Sequence, residues 1–199
     1  MKTDNLIRAM TSDLAASAPS IESRFAATFI PGVLAALFLF AITIGPRPDF
    51  MAVSGDVRFI FKFVITLLLG LCSAMLVWRL ARPGAPARLQ TVVLAIVPVV
   101  LAAAVIAELV MLPRPQWTAK LIGANGALCL VSMPSLALPV LIAAIFALRH
   151  GAPTRPTLAG VVAGLFAGSI GAAIYAAHCI DDSPMFVAFW YSLGIAIVA

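Results

Sequence analysis

From residue 25 onward the sequence keeps returning to apolar runs of about 20 residues, the length needed to carry a helix across roughly 30 Å of hydrocarbon. Six runs stand out: 25–45, 57–80, 89–112, 125–148, 157–179 and 185–199. They are too long and too evenly apolar for amphipathic core helices, and a backbone in lipid must satisfy its own hydrogen bonds. The expected fold is therefore an all-α polytopic membrane protein with six transmembrane helices. Composition agrees, since only 11% of residues are charged and the mean hydropathy is +1.10. The chain divides into a cytoplasmic amphipathic N-terminal segment, 1–24, and a six-helix domain, 25–199. The last run has 15 residues before Ala199, about 22 Å of helix, so it is expected to be short or cut off.

The connections are short and rich in Pro, Gly and Arg, leaving no room for a second domain. Basic residues orient the spans. With the N-terminus inside, Lys2, Arg8, Arg24, Arg79, Arg82, Arg88, Arg149 and Arg155 lie on the inner side, against Arg47, Arg58, Lys62, Arg114 and Lys120 on the outer. That places both termini in the cytoplasm and "HCIDD" (178–182) on the outer face. The net charge of +5 is used at helix ends, so no direct nucleic-acid binding is expected. No signal peptide precedes the first run, and the N-terminus is expected to be retained.

Ala18-Pro19, Ala85-Pro86 and Ala152-Pro153 recur at a spacing of 67 residues, and Pro31 and Pro46-Arg47-Pro48 recur as Pro98 and Pro113-Arg114-Pro115 at the same offset. This suggests three parallel copies of a two-helix unit of about 67 residues. Chance matching among proline-rich turns is the alternative.

Three cysteines are present. Cys72 falls in the middle of the second run, where a thiol packs as a small hydrophobe. Gly123, Asn125 and Gly126 are poor helix-interior residues, so the fourth helix is expected to start near Asn125, with Cys129 one turn inside the outer surface. Cys179 lies at the outer end of the fifth run, beside His178, Asp181 and Asp182. Two thiols at similar depth could pair, or jointly take a thiophilic metal as transient ligands, if their helices are neighbours; otherwise they are unrelated buried thiols. A preformed zinc site lacks the ligand spacing, and adjacent His and Cys diverge too far on a helix for hydrolytic catalysis. Asp181, Asp182 and Ser183-Pro184 read as a turn and cap for the last helix. Lys62 and Glu108, within about four residues of outer helix ends, are expected to snorkel or to sit at the interface.

In the N-terminal segment, Thr3 or Asp4 can cap a helix with Leu6, Ile7, Met10 and Leu14 on one face and Arg8 and Asp13 elsewhere. Such a helix fills a groove on a protein partner or lies on the bilayer surface. No enzymatic constellation and no cofactor is expected. A small transporter or channel is the competing class, weakened by the lack of ionisable groups at the midplane.

"MKTDNLIRAM", "RHGAPTRPTLAG" and "HCIDDSPMFVAFWY" together resemble the NrsF-type family of inner-membrane anti-sigma factors, over almost the whole chain. The resemblance implies a six-spanning protein of the bacterial inner membrane whose N-terminal helix engages an extracytoplasmic-function sigma factor. It also implies a pair of cysteines, matching Cys129 and Cys179, that senses oxidative or heavy-metal stress, and a basic tail after the last span that this sequence does not contain. On that basis Asp4, Leu6, Ile7, Arg8, Met10, Asp13 and Leu14 are the sigma-binding residues, and His178, Asp181 and Asp182 are neighbours of the sensor. The resemblance leaves the oligomeric state open.

Overall fold

The computed structural model describes residues 3–4, 21–82 and 84–199, the backbone alone at 21–25. Five long apolar helices follow one another: α1 (Ile21–Thr43), α2 (Val57–Leu80), α3 (Arg88–Met111), α4 (Gly126–Arg149) and α5 (Pro156–Ala176). Each is long and apolar enough to cross a membrane, whereas the last helix, α6 (Pro184–Val198), is shorter and contains a π-helical turn at Val187–Tyr191. No strand occurs among the described residues. Asp4 is helical and exposed, while Leu6, Ile7, Arg8, Met10, Asp13 and Leu14 lie outside the described residues.

The helix boundaries follow local chemistry. Asp56 accepts the Arg58 backbone N–H at the start of α2, and Pro156 opens α5, where a missing N–H costs nothing. Helix α4 begins at Gly126, with Asn125 as the flanking residue, as the run of poor helix formers implied. Pro31, Pro98, Pro134 and Pro139 are accommodated inside the helices.

Helix α5 is the centre of the bundle. It packs against α4, α2 and α6, while α1 packs mainly on α4 and α3 rests on α2 and the start of α6. The reason is its small-residue surface: with hydrocarbon as apolar as leucine, helices in lipid associate by close packing rather than by a hydrophobic drive. A Cβ on Gly171 would stand 2.7 Å from the Met133 carbonyl oxygen and 2.9 Å from the Ala137 nitrogen, so glycine lets the α4 and α5 backbones touch. Outward-facing residues such as Phe38 (67% exposed), Val99 (66%) and Val110 (82%) are apolar, a girdle that a soluble protein would not leave bare. Helix α3 contributes only Val97 and Glu108 to the interior.

Two bundle ends result. One carries the turns 81–87 and 150–155, where the Arg82 guanidinium lies 4.3 Å from the Trp78 ring centroid and the Ala152 N–H donates to the Ala81 carbonyl at 3.0 Å. The other, here the turn face, carries 44–56, 112–125 and 177–183, with short helices at Phe50–Val53 and Trp117–Ile122.

Candidate functional site

The turn from Ala177 to Ser183 joins the two helices nearest the core, and side chains from every neighbouring element reach in to hold it. From the α1–α2 loop, Arg47 grips Asp49 through both carboxylate oxygens (2.7 and 2.8 Å) and reaches Asp182 at 3.1 Å and the Cys179 carbonyl at 3.4 Å. Its backbone N–H donates to the Ala177 carbonyl at 3.0 Å. From α2, Lys62 donates to the Cys179 carbonyl at 2.6 Å and to Asp182, with its ammonium 4.9 Å from the centre of the Phe59 ring. Lys62 is fully buried, and Arg47 is nearly so.

From α3, Glu108 accepts the Ser183 hydroxyl at 2.7 Å and the Met185 N–H at 3.0 Å, and Arg58 approaches its other oxygen at 3.7 Å. Asp181 points the opposite way and accepts the N–H groups of Ala124 (3.0 Å) and Asn125 (2.9 Å) at the start of α4. His178 Nδ1 lies 3.0 Å from the Gly45 carbonyl. Gly123 makes this approach possible: its φ of +59° is left-handed, and a Cβ there would collide with the Phe186 ring at 2.5 Å. The Trp190 indole closes the seam by donating to the Leu121 carbonyl at 2.9 Å.

Inside this polar collar sit Cys129 and Cys179, both unpaired and fully buried. The Cys129 thiol, on the first turns of α4, hydrogen-bonds to the Cys179 sulfur, and Cys179 faces the Asp181 carbonyl at 3.7 Å. The two helices carrying them are packed neighbours, which meets the condition set by the sequence. The hydroxyls of Tyr175 and Tyr191 are buried beside the thiols, which are weak partners, and reach no nitrogen or oxygen partner among the described residues. The hydrogen bond from Cys129, with help from the Asp181 backbone N–H and the positive Lys62, holds Cys179 below the ordinary thiol pKa despite its burial. Likewise, Arg47 holds Asp49 below its ordinary range, and the carboxylates raise Arg47 in return.

Chemically, a buried pair of adjacent thiols can close to a disulfide or bind a soft cation through two sulfurs. Among the described residues no group of three or more His, Cys, Asp or Glu is placed to hold a metal ion, so nothing extends the pair to a tetrahedral zinc site. Cys72 is buried in the core, away from this collar.

Several residues differ from their sequence expectation. Lys62 and Glu108 turn inward rather than snorkelling, because partners in the turn replace the water each loses. Asp181 caps α4 rather than α6, and Asp182 neutralises buried cations. Nothing in the sequence marks Arg47 as a site residue. Its only sequence signal was an arginine between two prolines in a turn, which reads as punctuation until Asp182, 135 residues later, arrives beside it.

Residues 10–199 match the family model described as NrsF, negative regulator of sigma F. The chain is 38% identical to the anti-sigma-F factor NrsF of Caulobacter vibrioides over 98% of its own length and 92% of that protein. It is 32% identical to the probable anti-sigma-F factor NrsF of Azospira oryzae, over 100% and 94% respectively. No solved structure matches.

Proposed function

The chain belongs to the NrsF family of negative regulators of sigma F, and from that premise we propose that it is an inner-membrane anti-sigma factor controlled by the Cys129–Cys179 pair. In this reading it crosses the membrane six times as three two-helix units, with both termini cytoplasmic and the turn face outside. It acts by holding an extracytoplasmic-function sigma factor, not by catalysis. The N-terminal segment, with Asp4, Leu6, Ile7, Arg8, Met10, Asp13 and Leu14, is the handle on the sigma factor.

The observation that carries the sensing role is the meeting of the two thiols inside a collar that joins all six helices or their connections. Oxidation or a soft metal ion draws the start of α4 and the end of α5 together. The collar then passes that shift to α2 through Lys62 and to α3 through Glu108. A shift at this end reaches the opposite end because the helices move as rigid rods with two arrangements, and the sigma factor is released. The 67-residue repetition is supported by Pro31 inside α1 and Pro98 inside α3, which stand 67 residues apart (98 − 31).

The test is co-expression of the full chain with a cognate sigma factor and co-purification from membranes, beside a variant lacking residues 1–16. Capture by the full chain and its loss in the truncation are expected; no capture by the full chain overturns the reading. The C129S/C179S double variant is expected to retain the sigma factor under oxidant or cadmium, and release equal to that of the parent refutes the sensing role.

A further inference from the structure

Charge is divided unevenly between the two ends of the bundle. Residues 26–199 hold five carboxylates, Asp49, Asp56, Glu108, Asp181 and Asp182, and all of them stand on the turn face or in the helix ends beside it, with five of the ten lysines and arginines. The opposite end carries the other five, Arg79, Arg82, Arg88, Arg149 and Arg155, with no carboxylate in 79–90 or 148–158. The ion pairs among the described residues are accordingly all at the turn face, and Arg79, Arg88, Arg149 and Arg155 pair with no described acid. Cations gathered without acids repel one another, and an anion from outside would relieve that repulsion.

Two of these arginines share a groove. A space of about 510 Å³ opens between the last turn of α2 and the first turns of α3, lined by Arg79 from one helix and Arg88 from the other, and by Pro86, Leu89 and Val92. Leu89 and Val92 are 70% and 55% exposed and belong to the outward-facing apolar girdle, so the groove reaches from the charged end onto the surface that lipid covers. Its occupant must therefore offer an anion and apolar carbon side by side.

A phospholipid with a net negative headgroup does so. Its phosphate meets two guanidiniums, each a planar fork of N–H donors that matches phosphate oxygens, while its acyl chains lie along Leu89 and Val92. A zwitterionic lipid brings the same phosphate with an ammonium that the five arginines repel, and an acidic segment of a water-soluble protein matches the arginines but not the apolar wall. Basic pockets between spanning helices hold anionic headgroups in this way. We propose that the groove between Arg79 and Arg88 binds an anionic glycerophospholipid of the phosphatidylglycerol type. In the orientation proposed above, the cytoplasmic leaflet supplies it. The proposal needs a membrane-spanning chain but neither the thiol pair nor the sigma factor.

The experiment takes the full chain in mild detergent and counts retained lipids by native mass spectrometry. The probes are dioleoylphosphatidylglycerol, dioleoylphosphatidylcholine and, as a headgroup without chains, glycerol 3-phosphate. One phosphatidylglycerol per chain is expected at a concentration at least about tenfold below that needed for phosphatidylcholine, with the preference weakened in about 0.5 M NaCl and glycerol 3-phosphate not retained. R79Q/R88Q is expected to abolish the preference and R79K/R88K, which keeps the charges but not the planar forks, to keep part of it. R149Q/R155Q, at the same end but outside the groove, is expected to keep most of it. Thermal unfolding with phosphatidylcholine present checks that each variant is folded. Equal binding of the two lipids by the parent, an unchanged preference in R79Q/R88Q, or an equal loss in R149Q/R155Q overturns the proposal. So does glycerol 3-phosphate binding as tightly as the lipid, which would make this a site for free phosphate. Loss of sigma-factor capture in R79Q/R88Q, with no lipid preference in the parent, assigns the arginines to a protein partner and overturns it as well. Failure of the parent to capture a sigma factor leaves the lipid result standing.

Discussion

Asp182 is the anion that two buried cations share, and its replacement by alanine measures what the collar contributes to stability. In D182A, Arg47 keeps both bonds to Asp49, so the cation left without a carboxylate is Lys62, fully buried and holding only the Cys179 carbonyl and the Phe59 face. Breaking a buried pair from one side costs about 3–5 kcal/mol, because a desolvated charge is left behind. The Asp182 side chain is 18% exposed, so water reaches it and the lower end applies, about 3 kcal/mol. For a chain of this size that is a fall in Tm of about 6–12 °C. Removing both charges in K62M/D182A leaves neither member of this pair uncompensated, with Arg47 still held by Asp49, and is expected within about 1 kcal/mol of the parent, since apolar replacement of a buried pair is often neutral. The assay is thermal unfolding in mild detergent, read by circular dichroism and by maleimide labelling of Cys129, which is inaccessible when folded. A D182A midpoint within 2 °C (roughly 1 kcal/mol) of the parent, or a double variant weaker than D182A, refutes the view that Asp182 compensates Lys62.

Three shorter predictions follow from packing and charge. G171A should destabilise by about 1–3 kcal/mol, because its methyl meets α4 backbone that has no rotamer to yield, whereas G160A, which meets nothing within 4 Å, should be neutral or stabilising; equal midpoints in the two variants would contradict the close approach. Because Arg47 holds Asp49 below its ordinary pKa of 3.8, folding favours the ionised form: the contribution is fully present above about pH 4 and is lost as pH falls through the depressed value. D49N should therefore lose less stability than the parent between pH 6 and pH 2.5, and an identical loss would show that Asp49 plays no part. E108Q keeps an acceptor for Ser183 and Met185 and should leave α3 docked, whereas E108A leaves the Met185 N–H bare and should speed cleavage in the 112–116 connection by added protease; no difference between the two would remove Glu108 as the tie between α3 and the turn.

The sequence by itself determined the helical class, the five long apolar helices and the short last one, and the start of α4. These depend on run length and on local backbone preferences, which act between residues close in the chain. It also marked Cys129 and Cys179 as two thiols at one depth. What it left open was whether they meet, because that depends on α4 and α5 being neighbours, and their contact is set by small residues such as Gly171 whose partners lie tens of residues away. Lys62 and Glu108 show the same division. A lone ionisable group near a helix end has an inexpensive escape to water, so the one-dimensional reading sends it outward. Only the folded turn supplies a carboxylate for Lys62 and a hydroxyl and N–H for Glu108, and those partners make burial less costly than exposure. The groove between Arg79 and Arg88 is likewise invisible in the sequence, since a space between two helices is a property of neither alone.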